Sequence, residues 1–194
     1  MKIAKFFAMM LMAVSVGTFC ACSDDEDEGN GDSGNGATID LGGYEADLNT
    51  VYWTIDEDET GSDGSKFYQL EFYSYDFYNA GSSYPSTFSG IYISFMANGS
   101  DSEIPVGTYS YGSYEVSGAV GASVNNPEGR YYVEDAPGSG SLVISKNGND
   151  YTVTISPLVC AYVDPQEGGS TGNYATATMN FSYTGRINRA PAVE

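Results

Sequence analysis

Residues 140–157 read GSLVISKNGNDYTVTISP. Two β-favouring runs flank Asn147-Gly148-Asn149-Asp150, and Asn-Gly supplies the positive φ of a tight hairpin turn at low cost. Alternation then sets Leu142 and Ile144 against Val153 and Ile155 on one inward face. Leu158 to Val163 continues the second arm past a bulge at Pro157. A chain with this hairpin is read as β unless its flanks object.

They do not. Short runs rich in Tyr, Thr, Val, Ile and Phe alternate with Gly, Asn, Asp and Ser clusters, and no window sustains a helical period with caps. The spacing predicts a strand over Tyr44–Ile55, split or bent near Leu48-Asn49, followed by an acidic loop from Asp56 to Gly64. The next strand runs from Lys66 to Tyr78. Its Tyr68, Leu70 and Phe72 face the core, and Gln69 and Glu71 face water. Further strands are expected over Gly90–Ala97, Ile104–Tyr114, Glu115–Ser123, Arg130–Glu134 and Tyr174–Ile187. In the last of these Ala175, Ala177, Met179, Phe181 and Tyr183 face inward, and the tail from Asn188 is frayed. The fold class is all-β, an antiparallel barrel or a two-sheet sandwich of about eight to ten strands. Long strands and sequential hairpins favour the barrel.

Composition removes several functions. The chain has 26 acids, 7 bases and a formal charge of −19. Such a surface repels phosphate backbones, so no nucleic acid partner is expected. There is no histidine, which excludes Ser-His and Cys-His nucleophile systems and His-ligated metal or haem. Cys160, in an apolar run, reads as a small core residue. Glu71, Asp76, Glu115 and Glu134 lie in or beside strands without a spacing that fixes a carboxylate pair. The expectation is a protein that is not an enzyme.

The first residues give location. Lys2 and Lys5 precede an apolar run from Phe6 to Phe19, at about 14 residues too short for a bilayer span of about 20. Ala21 and Cys22 follow. This is the pattern of a bacterial lipoprotein signal. It divides the chain into a signal over 1–21, a lipidated Cys22 with an acidic tether over 22–37, and an all-β domain over 38–194. Cys20 is the alternative lipidation site, but bulky Phe19 precedes it. The tether, of Gly, Asn, Ser and acid, is too polar to fold and reaches roughly 20 Å.

Ser23-Asp24-Asp25-Glu26-Asp27-Glu28, directly after Cys22, resembles the surface-export signal of Bacteroidota lipoproteins. That resemblance implies an outer-membrane anchor facing the medium. Ile104-Pro105-Val106-Gly107-Thr108-Tyr109, Asn147 to Val153, and Phe181-Ser182-Tyr183-Thr184-Gly185 are similar to strand signatures of uncharacterised Bacteroidota lipoprotein domains. They imply a lipocalin-like β fold and carry no catalytic residues.

Aromatic residues supply the candidate site. The chain holds 17 Tyr, 9 Phe and one Trp. Rings stack on sugar faces and phenols hydrogen-bond sugar oxygens, so Trp53, Tyr73, Tyr75, Tyr109 and Tyr111 are candidate ligand-binding residues. The competing reading is ordinary cross-strand aromatic pairing. Asp56, Asp58 and Thr60 fall at the first, third and fifth positions of a calcium-type loop. Phe67 stands where its bidentate Glu belongs, so an EF-hand is excluded and only a looser oxygen cage for calcium is left. No other cofactor is expected. The reading is a lipid-anchored surface protein that binds an extracellular ligand, a glycan before others, without catalysis. The alternative is an adhesive or structural protein that contacts other surface proteins and has no small-molecule site.

Overall fold

The structure is a computed structural model that describes residues 36–41, 44–79, 85–122, 131–135, 140–162 and 176–191. All belong to one unit, Ser33–Glu194. Among the described residues there is no helix and there are twelve strands. These are β1 (Ala37–Leu41), β2 (Tyr44–Leu48), β3 (Thr50–Thr60), β4 (Lys66–Tyr73), β5 (Phe88–Ala97) and β6 (Gly107–Ser110), then β7 (Tyr114–Ala122), β8 (Tyr131–Asp135), β9 (Ser141–Asn147), β10 (Asp150–Tyr162), β11 (Thr176–Gly185) and β12 (Asn188–Arg189).

The β9–β10 hairpin forms as the sequence predicts. Val153 lies opposite Ile144 and Ile155 opposite Leu142. Gly148 turns the chain at φ 62°. The register against β11 shifts between Ile155 and Leu158, around the cis Ser156–Pro157 bond. Before that shift β10 pairs β9, and after it β8, while β11 follows the opposite edge throughout. One strand thereby takes part in three ladders.

The strand order is β12-β3-β4-β5-β7-β8-β10-β9-β6, with β11 on the free edge of β10. All pairings are antiparallel except β12 with β3. No ladder among the described residues joins the two ends, so the expected barrel closure is not made. The sheet instead folds over on itself as a sandwich. Phe72 on β4 meets Phe181 and Tyr183 on β11 at 5.0 and 5.4 Å, and Phe95 on β5 meets Tyr109 beside β9 at 4.6 Å. Sequential hairpins had suggested a barrel, but the pairings β6–β9 and β8–β10 skip strands.

Between the layers lie Tyr68, Leu70, Phe72, Ile91, Ile93, Leu142, Ile144, Val153, Ile155 and Phe181, each at most 2 % exposed. Full burial of such side chains contributes ~1.5–3 kcal/mol each, so this interlayer core dominates stability. The β1–β2 hairpin adds Ala37, Ala46 and Leu48 to the same core.

Several boundaries depart from expectation. β3 continues to Thr60, so Asp56 to Thr60 is strand and the loop is only Gly61 to Ser65. There Asp63 Oδ1 accepts from the Ser65 amide at 3.0 Å and hydroxyl at 2.7 Å, closing the turn. β6 is short because Tyr111-Gly112-Ser113 turns, with Gly112 at φ 86°. Asn188 and Arg189 are not frayed. They pair with Tyr52 and Trp53, and the Ala190 amide donates to the Trp53 carbonyl at 2.9 Å.

Candidate functional site

β4 ends at Tyr73 rather than Tyr78, and this early end builds the site. The Ser74 amide donates to Ser89 O at 3.0 Å, and the Ser89 amide donates back to Ser74 Oγ at 2.9 Å. The pairing stops there. Asp76 then caps a turn, accepting from the Asn79 amide at 3.1 Å and from Asn79 Nδ2 at 2.9 Å. Residues 74–79 return as a strap across the outer face of the sheet.

Register defines that face row by row, because directly opposed residues share a side. Tyr52, Glu71, Tyr92 and Ser117 form one row. Thr54, Gln69, Ser94 and Glu115 form the next, and Asp56, Phe67 and Met96 a third. Rows two residues apart are separated by about 7 Å.

The strap lies beside the first two rows. Gln69 and Glu71, expected in water, are 7 % and 4 % exposed. Alternation placed them on the correct face, but the part of that face around Glu71 is covered as well. A buried carboxylate needs donors. Glu71 Oε2 accepts from Tyr73 at 2.8 Å and Tyr78 at 2.9 Å, and Oε1 accepts from Gln69 Nε2 at 3.1 Å. Tyr92 joins through the Tyr73 hydroxyl. Gly90 lacks a side chain where Tyr73 lies: a Cβ there would stand 3.2 Å from the ring.

Electrostatics follow burial. Desolvation, then neighbouring Tyr92 and Glu71, pushes the Tyr73 phenol far above its ordinary value. Desolvation and Glu71 do the same to Tyr78. Desolvation raises Tyr92 to about 12. Tyr52 also reaches about 12, through desolvation and its 2.9 Å hydrogen bond to Asp76. Burial alone would raise Asp76, but hydrogen bonds from Asn79 and Tyr52 hold it below the usual carboxylate value.

Five rings were singled out from the sequence, and the structure brings two of them together. Tyr73 stacks on Phe77 at 5.8 Å, and Tyr75 meets Phe77 at 6.1 Å and Phe88 at 5.9 Å. Tyr73 is buried; Tyr75, Phe77 and Phe88 are partly exposed. Trp53 lies in the interlayer core, stacked on Tyr68 at 6.4 Å and covered by the Arg189 guanidinium at 5.4 Å. Tyr109 packs on Phe95 and donates to Pro105 O at 3.3 Å. Tyr111 stands exposed at a turn. Asp56 and Thr60 sit on β3, and the Asp58 side chain lies outside the described residues, as does Cys22. Among the described residues no group of three or more His, Cys, Asp or Glu could hold a metal ion.

Sequence reasoning missed Gln69, Tyr78, Tyr92, Asp76 and Asn79 as partners in one site. A signal existed: six aromatics between Phe67 and Phe77, with Tyr78 after them, exceed what one face of one strand can hold. Compared with known proteins, no family model, no curated protein and no solved structure matches this chain.

Proposed function

We propose that this is a lipid-anchored protein on the outward face of an outer membrane, binding an extracellular glycan without catalysis. The anchor rests on the Cys22 signal and the acidic run behind it. The observation carrying the ligand is the group Tyr75, Phe77 and Phe88, partly exposed rings 5.9–6.1 Å apart beside Asp76 and Asn79. Rings offer stacking faces to a sugar, and adjoining carboxylate and amide groups suit its hydroxyls.

A glycan array probed with the full chain, with and without millimolar calcium, tests the reading. Reproducible binding that drops at least tenfold in Tyr75→Ala and Phe77→Ala supports it, and calcium dependence would bring Asp56, Asp58 and Thr60 back as ligands. Adhesion to another surface protein is the second reading, favoured by the exposed Met96, Val106 and Tyr111. A blank array with specific capture of a surface protein would select it.

A further inference from the structure

The end of the domain that carries the ring group is also the end at which the tether joins it. Gly36 lies against Asn49, since a Cβ on it would stand 3.5 Å from Asn49 Cα. Ala37 then pairs with Leu48, and both are buried. Thr50, next to Asn49, stands opposite Tyr73, and the strap leaves the sheet at Ser74. Phe88 opens β5 at this end, just before Gly90, which pairs with Tyr73. The domain is therefore fixed to its tether beside Tyr75, Phe77 and Phe88.

Charge separates this ring end from the opposite end, where the Gly61–Ser65 and Gly148–Asn149 turns lie. The described bases are Lys66, Lys146, Arg186 and Arg189. Lys66 is bound to Asp101 and Lys146 to Glu103, and the Arg189 guanidinium donates to Asp101 O at 2.9 Å. Arg186 follows Gly185, which lies opposite Tyr151. All four serve the turn end. The ring end presents Asp47 and Asp76 and, among the described residues, no base. Anionic headgroups would meet those acids without a counter-charge.

Length sets the geometry. The tether over 22–37 reaches roughly 20 Å, whereas a strand of 10 residues such as β5 is about 33 Å long. A lipid at Cys22 therefore holds the ring end nearer the headgroups than the turn end. So short a tether presents a membrane-borne ligand at roughly millimolar effective concentration, so a few partly exposed rings are sufficient to bind it. Amphipathic rings also favour the headgroup level of a bilayer.

We propose that Tyr75, Phe77 and Phe88 bind the uncharged sugar headgroup of a glycolipid in the membrane that carries the anchor. Binding is then in cis, with the ring end toward the bilayer and the turn end toward the medium. The inference rests on the glycan reading above and names the source of that glycan.

Quenching by a lipid with a nitroxide headgroup reads which end faces the bilayer. The lipidated full chain is reconstituted in phosphatidylcholine vesicles, either plain, or with a diglycosyl diacylglycerol, or with anionic phosphatidylglycerol. Tyr75→Trp places a reporter at the ring end and Met96→Trp one at the turn end, where Met96 adjoins Ala97 opposite Lys66. The parent chain gives the Trp53 background. The expected result in glycolipid vesicles is quenching at least twofold stronger for Tyr75→Trp than for Met96→Trp, reversed by excess soluble disaccharide headgroup. Phe77→Leu keeps an apolar side chain beside Tyr73 and removes a stacking face. Added to Tyr75→Trp, it should abolish the glycolipid-dependent quenching with the unfolding midpoint unchanged. Equal quenching of the two positions, or a preference for anionic vesicles, overturns the inference, while a glycan-array hit still leaves a glycan-binding protein. Strong quenching in plain vesicles that excess sugar does not reverse also overturns it, and together with a blank array removes the glycan reading as well.

Discussion

Glu71 shows what a single buried charge asks of its surroundings. Its hydrogen-bond partners are neutral, two phenols and an amide, so the network holds only if each donor is kept. Hydrogen bonds to a charged group contribute ~1.5–3 kcal/mol. Tyr78→Phe should therefore destabilise the protein by about that much, read as a lower urea midpoint at unchanged slope. Tyr111→Phe, at an exposed turn, is the control and should fall within about 0.5 kcal/mol of the parent. Equal effects from the two would mean that the strap does not depend on Glu71. The sequence conveyed only half of this arrangement. Period-two alternation put Gln69 and Glu71 opposite Leu70, which is where they are. It carries no information about a segment that returns over that face, because Ser74 and Asp76 end the strand through side-chain contacts to Ser89 and Asn79.

At the level of strands, local pattern was most legible where turn chemistry and alternation agreed. The β9–β10 hairpin shows both, with Asn-Gly at its turn and matched apolar arms. The acidic run Asp56–Thr60 misled because its composition suits a loop, whereas β4 pairs both of its ends, Asp56 with Phe67 and Thr60 with Lys66, across a register shift that takes up the residues between them. Tertiary pairing overrides propensity in such cases. Gly118 on β7 marks a close approach of β5 and β7. A Cβ there would lie 2.4 Å from the Gly90 carbonyl oxygen and 3.0 Å from Ile91 Cα. Both contacts are backbone, so no rotamer change relieves them, and β5 and β7 would have to part. Gly118→Ala should cost about 1–3 kcal/mol, the usual range for overpacking, in equilibrium unfolding. An unchanged midpoint would show that the two strands are less closely paired than described.

Over the whole molecule, the choice between barrel and sandwich depended on pairings between strands distant in sequence, which alternation does not encode. What the composition did announce was the number of phenols, and their placement has a consequence at high pH. Tyr52 and Tyr92 on the outer face and Tyr183 in the core are each raised to about 12, chiefly by desolvation, and Tyr73 and Tyr78 lie higher still. Their unfolded values are near 10. A raised folded value means that the folded chain keeps protons which the unfolded chain has released. The stabilisation is complete below about pH 10 and falls as pH climbs toward 12 and beyond. Because these rings lie in both the strap and the core, their ionisation should coincide with global unfolding. An alkaline titration that follows the ultraviolet phenolate band and far-ultraviolet circular dichroism together should show exposed tyrosines ionising first with the β signal intact. The remaining phenols should then ionise in one step with its loss. A phenolate signal that reaches completion while the β signal persists would mean that these rings are open to solvent, and that the strap does not cover the row around Glu71.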